Sequence, residues 1–323
     1  MTSRGKRLLT MVVALTLLIG VLVALNYRSL AIWSAPAKRK IATRTPAAMA
    51  ADSVFWQTFH GADYDQIPHA VEMLARAYAA TPNDPVTAGH LGWMHLWRIA
   101  EHVRNDTASA AIIEEMLLAR RYFEESVRLD PSDPRTLGFL ASVRMGEGSI
   151  QHDERLTRRG YFTMLDAIKA WPAFNLFTGG YVLSGAPANS AQFQEGLEWQ
   201  WRDLDVCAGR KIDRTNPDFT SLLSQVHDVR ACLDTWIAPH NAEGFFLNMG
   251  DMLVKAGDWR TARTIYANAR LLPGYRTWAF APVLERRIQD AEANVARFSG
   301  TDPDPKTGMM DGSSFSCMAC HQQ

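Results

Sequence analysis

Small residues recur at one helical spacing through much of this chain, and they restrict how its segments can pack. The triplets Ala70, Leu74, Ala77; Ala119, Phe123, Ser126; Gly160, Met164, Ala167; and Ala262, Tyr266, Ala269 all step by four residues and then three. Such steps bring all three side chains to one face of a helix. Small residues on that face let a second helix approach closely, and the larger residue between them fills the space beside the crossing. Pro82, Pro131, Pro172 and Pro273 follow the triplets and withhold the amide that would continue a helix. Leu91 and Gly92, Leu140 and Ala141, and Met249 and Gly250 stand where a partner helix would meet these faces. One such pair cannot bury its apolar face alone, so neighbouring pairs must stack, and the expected fold class is all-α.

The clearest stretch, "FLNMGDMLVKAGDWRTARTIYANARLLP" over residues 246–273, resembles the tetratricopeptide repeat in Gly250, Gly257, Trp259, Ala262, Tyr266, Ala269 and a closing proline displaced by one place. The resemblance implies pairs of antiparallel helices stacked into a solenoid that docks a protein partner. An irregular helical bundle is the alternative. The frame assigns tetratricopeptide-like helices to 53–173 and to 245–298. About 15 residues too many separate Leu91 and Gly92 from Ala119, measured against a 34-residue repeat. Over 174–244 the register lapses, which reads as a degenerate repeat or an insertion.

Before the repeats, Arg4, Lys6 and Arg7 precede an apolar run over 8–25, long enough to cross a hydrocarbon core as one helix. Signal-peptide apolar regions are shorter, about 7 to 15 residues, so residues 1–28 read as an uncleaved anchor. Residues 29–52, rich in Ala, Pro, Lys and Arg, read as a linker. Arg28, Lys38, Arg39, Lys40 and Arg44 outnumber the basic residues before the run, and counted alone they would hold the body in the cytoplasm. The layout of a signal sequence and the motif at the other end of the chain favour export instead. Basic and acidic residues balance at 34 each, so no whole-chain field recruits nucleic acid.

That motif is Cys317, Met318, Ala319, Cys320, His321, the C-x-x-C-H pattern of covalent haem attachment. It resembles the attachment site of c-type cytochromes over these five residues only. The resemblance implies one haem c, tethered by Cys317 and Cys320 and ligated by His321. In the small cytochrome fold a downstream methionine supplies the sixth ligand; Gln322 and Gln323 follow here, and no such domain is expected. A zinc site would need about four ligands where the motif offers three. A thioredoxin-like pair would need a strand-rich domain. Residues 299–323 read as a flexible leash. Met309 and Met310 are candidate distal ligands, with His60, His69, His90, His95, His102, His152, His227 and His240 as the others. His95 falls where the repeat places an aromatic residue and reads as core. Trp93, Trp97, Trp199 and Trp201 read as core or as the lining of a groove.

Cys207 and Cys232 suit a disulfide if the chain is exported, where thiols oxidise. Two buried free thiols are the alternative. No nucleophile elbow, phosphate loop or H-E-x-x-H is present, so an electron carrier or complex subunit is expected before a catalyst. The composite expectation is a single-pass protein of the bacterial inner membrane, its body facing the periplasm. That body would dock a redox protein or membrane complex while the tail haem transfers electrons. The alternative is a non-redox scaffold or assembly factor of an envelope complex, its tail motif binding metal or idle.

Overall fold

Capping residues mark where the helices begin. Thr45 accepts from the Ala48 amide, Asp133 from Arg135, Asp153 from Arg155 and Leu156, Ser190 from Phe193, and Asp258 from Thr261. Each satisfies an amide that the first helical turn leaves without a partner. Proline occupies an early helical position in several of these helices, where its missing amide costs nothing.

The computed structural model describes residues 3–61, 63–100, 109–220, 229–232 and 242–300. The chain divides into two compact units, Met1–Arg39 and Lys40–Gln323. The first carries α1 (Ser3–Trp33). Its stretch Leu9–Trp33 has a mean hydropathy of 2.5 and no buried residue, so by length and composition it can cross a membrane, as a signal sequence also can.

The second unit contains α2 (Pro46–His60), α3 (Ile67–Ala80), α4 (Pro85–Ala100), α5 (Ser109–Leu129), α6 (Pro134–Gln151), α7 (Glu154–Ala170), α8 (Pro172–Leu183) and α9 (Ala191–Ala208). It continues with α10 (Val229–Cys232), α11 (Ala242–Lys255), α12 (Trp259–Asn268), α13 (Ala281–Asp290) and α14 (Asn294–Phe298). Among the described residues all regular structure is helical. Chain neighbours pack together, α2 on α3, α4 on α5, α6 on α7, α8 on α9 and α11 on α12, and further contacts join α3 to α4, α5 to α6 and α6 to α8. The buried apolar residues form four clusters that follow the chain, beginning with α2, α3 and α4 and finishing around α11 to α14.

The small residues lie at the crossings. A Cβ on Gly92 would stand 2.8 Å from the Phe123 ring, and one on Gly250 would stand 2.1 Å from the ring of Tyr266. Ala70, Ala119 and Ala262 are fully buried. The prolines divide into two kinds: Pro172 opens α8 rather than merely closing α7, with Trp171 capping both.

Two boundaries differ from the sequence reading. The linker expected over 29–52 is shorter, because α1 continues to Trp33 and α2 starts at Pro46. Its alanines are the reason: Ala48 and Ala51 are fully buried, packed as small residues rather than exposed as a tether. Within 174–244, α8 and α9 pair as the earlier helices do, and Gly196, Gln200 and Asp203 repeat the four-then-three spacing. Gln200 is fully buried and donates from Nε2 to the Phe177 carbonyl at 3.2 Å. Gln200 and Asp203 put polar side chains at positions where the earlier triplets carry apolar or small ones.

Residues 40–44 are pinned to the body before α2 begins. Lys40 pairs with Asp130, the Ile41 amide donates to the Asn83 carbonyl at 3.0 Å, and Arg44 reaches Asp84 at 2.9 Å and Asp52 at 3.1 Å. At the end of α9, Cys207 is disulfide-bonded to Cys232 of α10, their Cα atoms 5.9 Å apart.

Two substitutions test this packing. Gly250→Ala forces a methyl group into the Tyr266 ring, and urea unfolding is expected to show a loss of about 1–3 kcal/mol. Cys207→Ala with Cys232→Ala opens a loop whose ends are 25 residues apart. The expected cost is about 3 kcal/mol, and adding reductant should destabilise the parent protein while leaving the double variant unchanged.

Candidate functional site

A row of aromatic rings crosses four helices of the second unit. Phe55 and Phe59 of α2 stack with centroids 5.2 Å apart, Phe59 meets Trp93 of α4 at 5.2 Å, Trp93 meets Phe139 of α6 at 3.8 Å, and Phe139 meets Phe174 of α8 at 5.6 Å. Edge-to-face and offset contacts of this kind add to the stabilisation that burial alone supplies. The rings line one side of a cavity of about 260 Å³. Asp52, His90, Asp130, Asp133 and Arg135 supply its polar wall.

His90 is the one histidine among the residues lining this cleft. Its imidazole lies flat on Phe55, centroids 3.8 Å apart and planes within 7°, and Trp56 meets it edge-on at 5.4 Å. Nδ1 contacts Asp52 Oδ1 at 2.5 Å, although the contact is too bent for a straight hydrogen bond. Asp52 in turn accepts from Arg44, whose Nε donates to Asp84. Asp84 is almost fully buried and caps the start of α4, accepting from the Val86 amide at 3.0 Å and the Thr87 hydroxyl at 2.8 Å. The chain Asp84, Arg44, Asp52, His90 therefore ties the entry to α2 to the first turns of α4.

Burial alone would raise the Asp52 carboxyl, but His90 and Arg44 outweigh it and hold the group below its ordinary value. Arg44 shows the converse: burial would lower it, and its two carboxylate partners raise it. Each carboxylate of the cleft has a cationic partner, Arg44 for Asp52, Lys40 for Asp130 and Arg135 for Asp133.

The sequence-derived candidates fall in different places. Cys317, Cys320, His321, Met309 and Met310 lie outside the described residues, as do His102, His227 and His240. His69 and His152 are exposed, and His152 ends α6 in the left-handed region at φ 55°. His60 is buried against Trp56, and His95 is a core histidine paired with Glu115 at 2.7 Å. Trp97, Trp199 and Trp201 are buried in the core, leaving Trp93 as the groove residue of the four. The sequence placed His90 among eight histidines without distinguishing it; the signal was its position two residues before the crossing glycine Gly92, on the opposite side from Phe123. Among the described residues no group of three or more His, Cys, Asp or Glu is arranged to hold a metal.

A second, larger cavity of about 960 Å³ opens beside α5, α6 and the α8–α9 connection, lined mainly by apolar side chains including Ile112, Met116 and Met145. Lys255 borders it, its ammonium pushed down by burial while donating to the Ser184 carbonyl at 2.8 Å.

Asp52→Asn tests the ion chain. Because the folded carboxyl titrates below its ordinary value of 3.8, the stability it contributes is present above that value and is lost as pH falls through the lower, folded one. The variant should lose about 1–3 kcal/mol at pH 7, and urea unfolding near pH 3 should show a smaller difference from the parent.

No family model, curated protein or solved structure matches the chain. Its function is therefore to be read from its own residues.

Proposed function

We propose that this chain is a membrane-anchored, exported monohaem c-type protein. Its second unit is a tetratricopeptide-like solenoid that docks a redox protein or membrane complex. The carrying observation is Cys317, Cys320 and His321 at C-x-x-C-H spacing in a chain that begins with an apolar helix. The donor set suits a haem: two thiols at C-x-x-C spacing would form thioether bonds to its vinyl groups, and the imidazole next in sequence to the second thiol would ligate iron. A bound haem supplies a one-electron couple. The chain's own residues hold it at the end of the tail sequence, while the body supplies surfaces for a partner.

Three further observations support the reading. The Cys207–Cys232 disulfide suits an oxidising compartment, as export to the periplasm requires. The small residues at the crossings and the sequential pairing of helices are what a solenoid of helical hairpins needs. The aromatic row joins the first helices of successive pairs, α2, α4, α6 and α8, its phenylalanines buried, so that each pair packs on the next as a stack of hairpins needs.

The test is a haem stain on a denaturing gel after expression in a host that attaches haem to exported proteins. The parent band is expected to stain, and Cys317→Ala and Cys320→Ala are expected to weaken or abolish it. An unstained, exported parent protein would remove the cytochrome reading and leave an envelope scaffold.

A further inference from the structure

The larger cavity, of about 960 Å³, is amphiphilic. Helices α5 and α6 give it Ile112, Ile113, Met116, Met145 and Ile150, while the α8–α9 connection gives it Ser184 to Pro187 with Lys255 against them. Ile113 and Ile150 are 39% and 49% exposed, so the cavity opens to solvent past an apolar rim. Met116 and Met145 are buried, and their unbranched thioether chains let a wall adapt to what it holds.

The hydroxyls of the lining are satisfied locally. Ser142 donates to the Gly138 carbonyl at 3.0 Å, Thr157 to Asp153 at 3.1 Å and Ser184 to Tyr181 at 2.6 Å. Lys255 is the one charged residue that lines the cavity. Its Nζ donates to the Ser184 carbonyl and lies 5.0 Å from the centroid of the Phe193 ring, and no carboxylate pairs with it among the described residues. An ammonium carries three donors, so it can still bind an anion while keeping that carbonyl.

We propose that this cavity binds a free long-chain fatty acid, its carboxylate on Lys255 and its chain along Ile112, Met116 and Met145. The inference needs neither the tail nor a haem.

Charge and volume select the occupant. One half-buried cation without a counter-charge complements one negative head, and burial, which already pushes the Lys255 ammonium down, is offset when an anion arrives. Ligand sites span roughly 300–1,000 Å³, and a flexible chain of methylenes fills an apolar space of this size without asking it for further hydrogen bonds. The 260 Å³ cleft differs in kind, since Asp52, Asp130 and Asp133 line it and an anionic head would meet carboxylates there.

The experiment uses the full chain reconstituted in phosphatidylcholine vesicles, with a palmitate that carries a photoreactive diazirine on its chain, and peptide mapping by mass spectrometry. Cross-links are expected within 112–116, 145–150 or 181–187, and excess palmitate should displace them. Lys255→Gln is expected to cut this labelling about tenfold, because it removes a charged hydrogen bond, whereas Lys255→Arg should retain it. The matching diazirine hexadecanol should label the parent and Lys255→Gln alike. Gly146→Leu fills the cavity from α6: a Cβ there would stand 3.7 Å from the Met116 methyl group, an ordinary contact, and the rest of the side chain takes the space of the ligand. It should lower labelling by both probes. Far-UV circular dichroism checks that each variant is folded. Labelling confined to α1, labelling that excess palmitate leaves in place, or equal palmitate labelling in folded Lys255→Gln overturns the inference. A diazirine phosphatidylcholine that labels the same segments and that palmitate fails to displace assigns the cavity to a two-chain lipid, and overturns it too.

Discussion

The close approach of paired helices at a small residue is the constraint on which the rest of the second unit depends. Where Gly92 passes Phe123 and Gly250 passes Tyr266, the ring occupies the volume a side chain would need. That choice fixes which face of each helix turns toward its pair, and so which face remains for the next pair. The aromatic row follows from it. His90 stands two residues before Gly92, and Phe139 stands two before Ala141, so both turn to the face of their helix away from that small residue. Packing and site are set by one register.

Much of this register was legible because the residues that carry it are chemically extreme. Glycine and alanine at a crossing, one large residue beside them and a proline afterwards leave a readable trace in Ala119, Phe123, Ser126 and Pro131. The trace fades where polar residues take the same positions. Gln200 is buried because its amide finds a backbone carbonyl, a compensation that no sequence pattern displays. Pro46, Ala48 and Ala51 read as linker because alanine is equally at home in an exposed tether and at a tight contact. The cleft was less legible still. The pairing of Asp52 with His90 joins residues on two helices, and the distance between them is a product of the fold.

The ion chain also shows how polar groups are placed beside buried aromatic rings. Asp84 is buried yet satisfied by an amide, a hydroxyl and a guanidinium, and Arg44 spans from it to Asp52. Removing one member leaves the others desolvated without a partner, which is more costly than exchanging the whole set for apolar groups. Such a chain is therefore a poor source of net stability and a good device for orientation. At its far end Asp52 lies against the imidazole of His90, whose face rests on Phe55.

The same short segment has a mechanical meaning. Residues 40–44 are where tension applied through the N-terminal helix enters the second unit. Lys40, Ile41 and Arg44 bind to Asp130, Asn83, Asp84 and Asp52, groups spread from α2 to the connection before α6. Several bonds to separate parts of the unit hold this segment, so a pull on it is not borne by the first turn of α2 alone. Because most of those bonds join opposite charges, the strength of this attachment depends in part on the ionic strength around it.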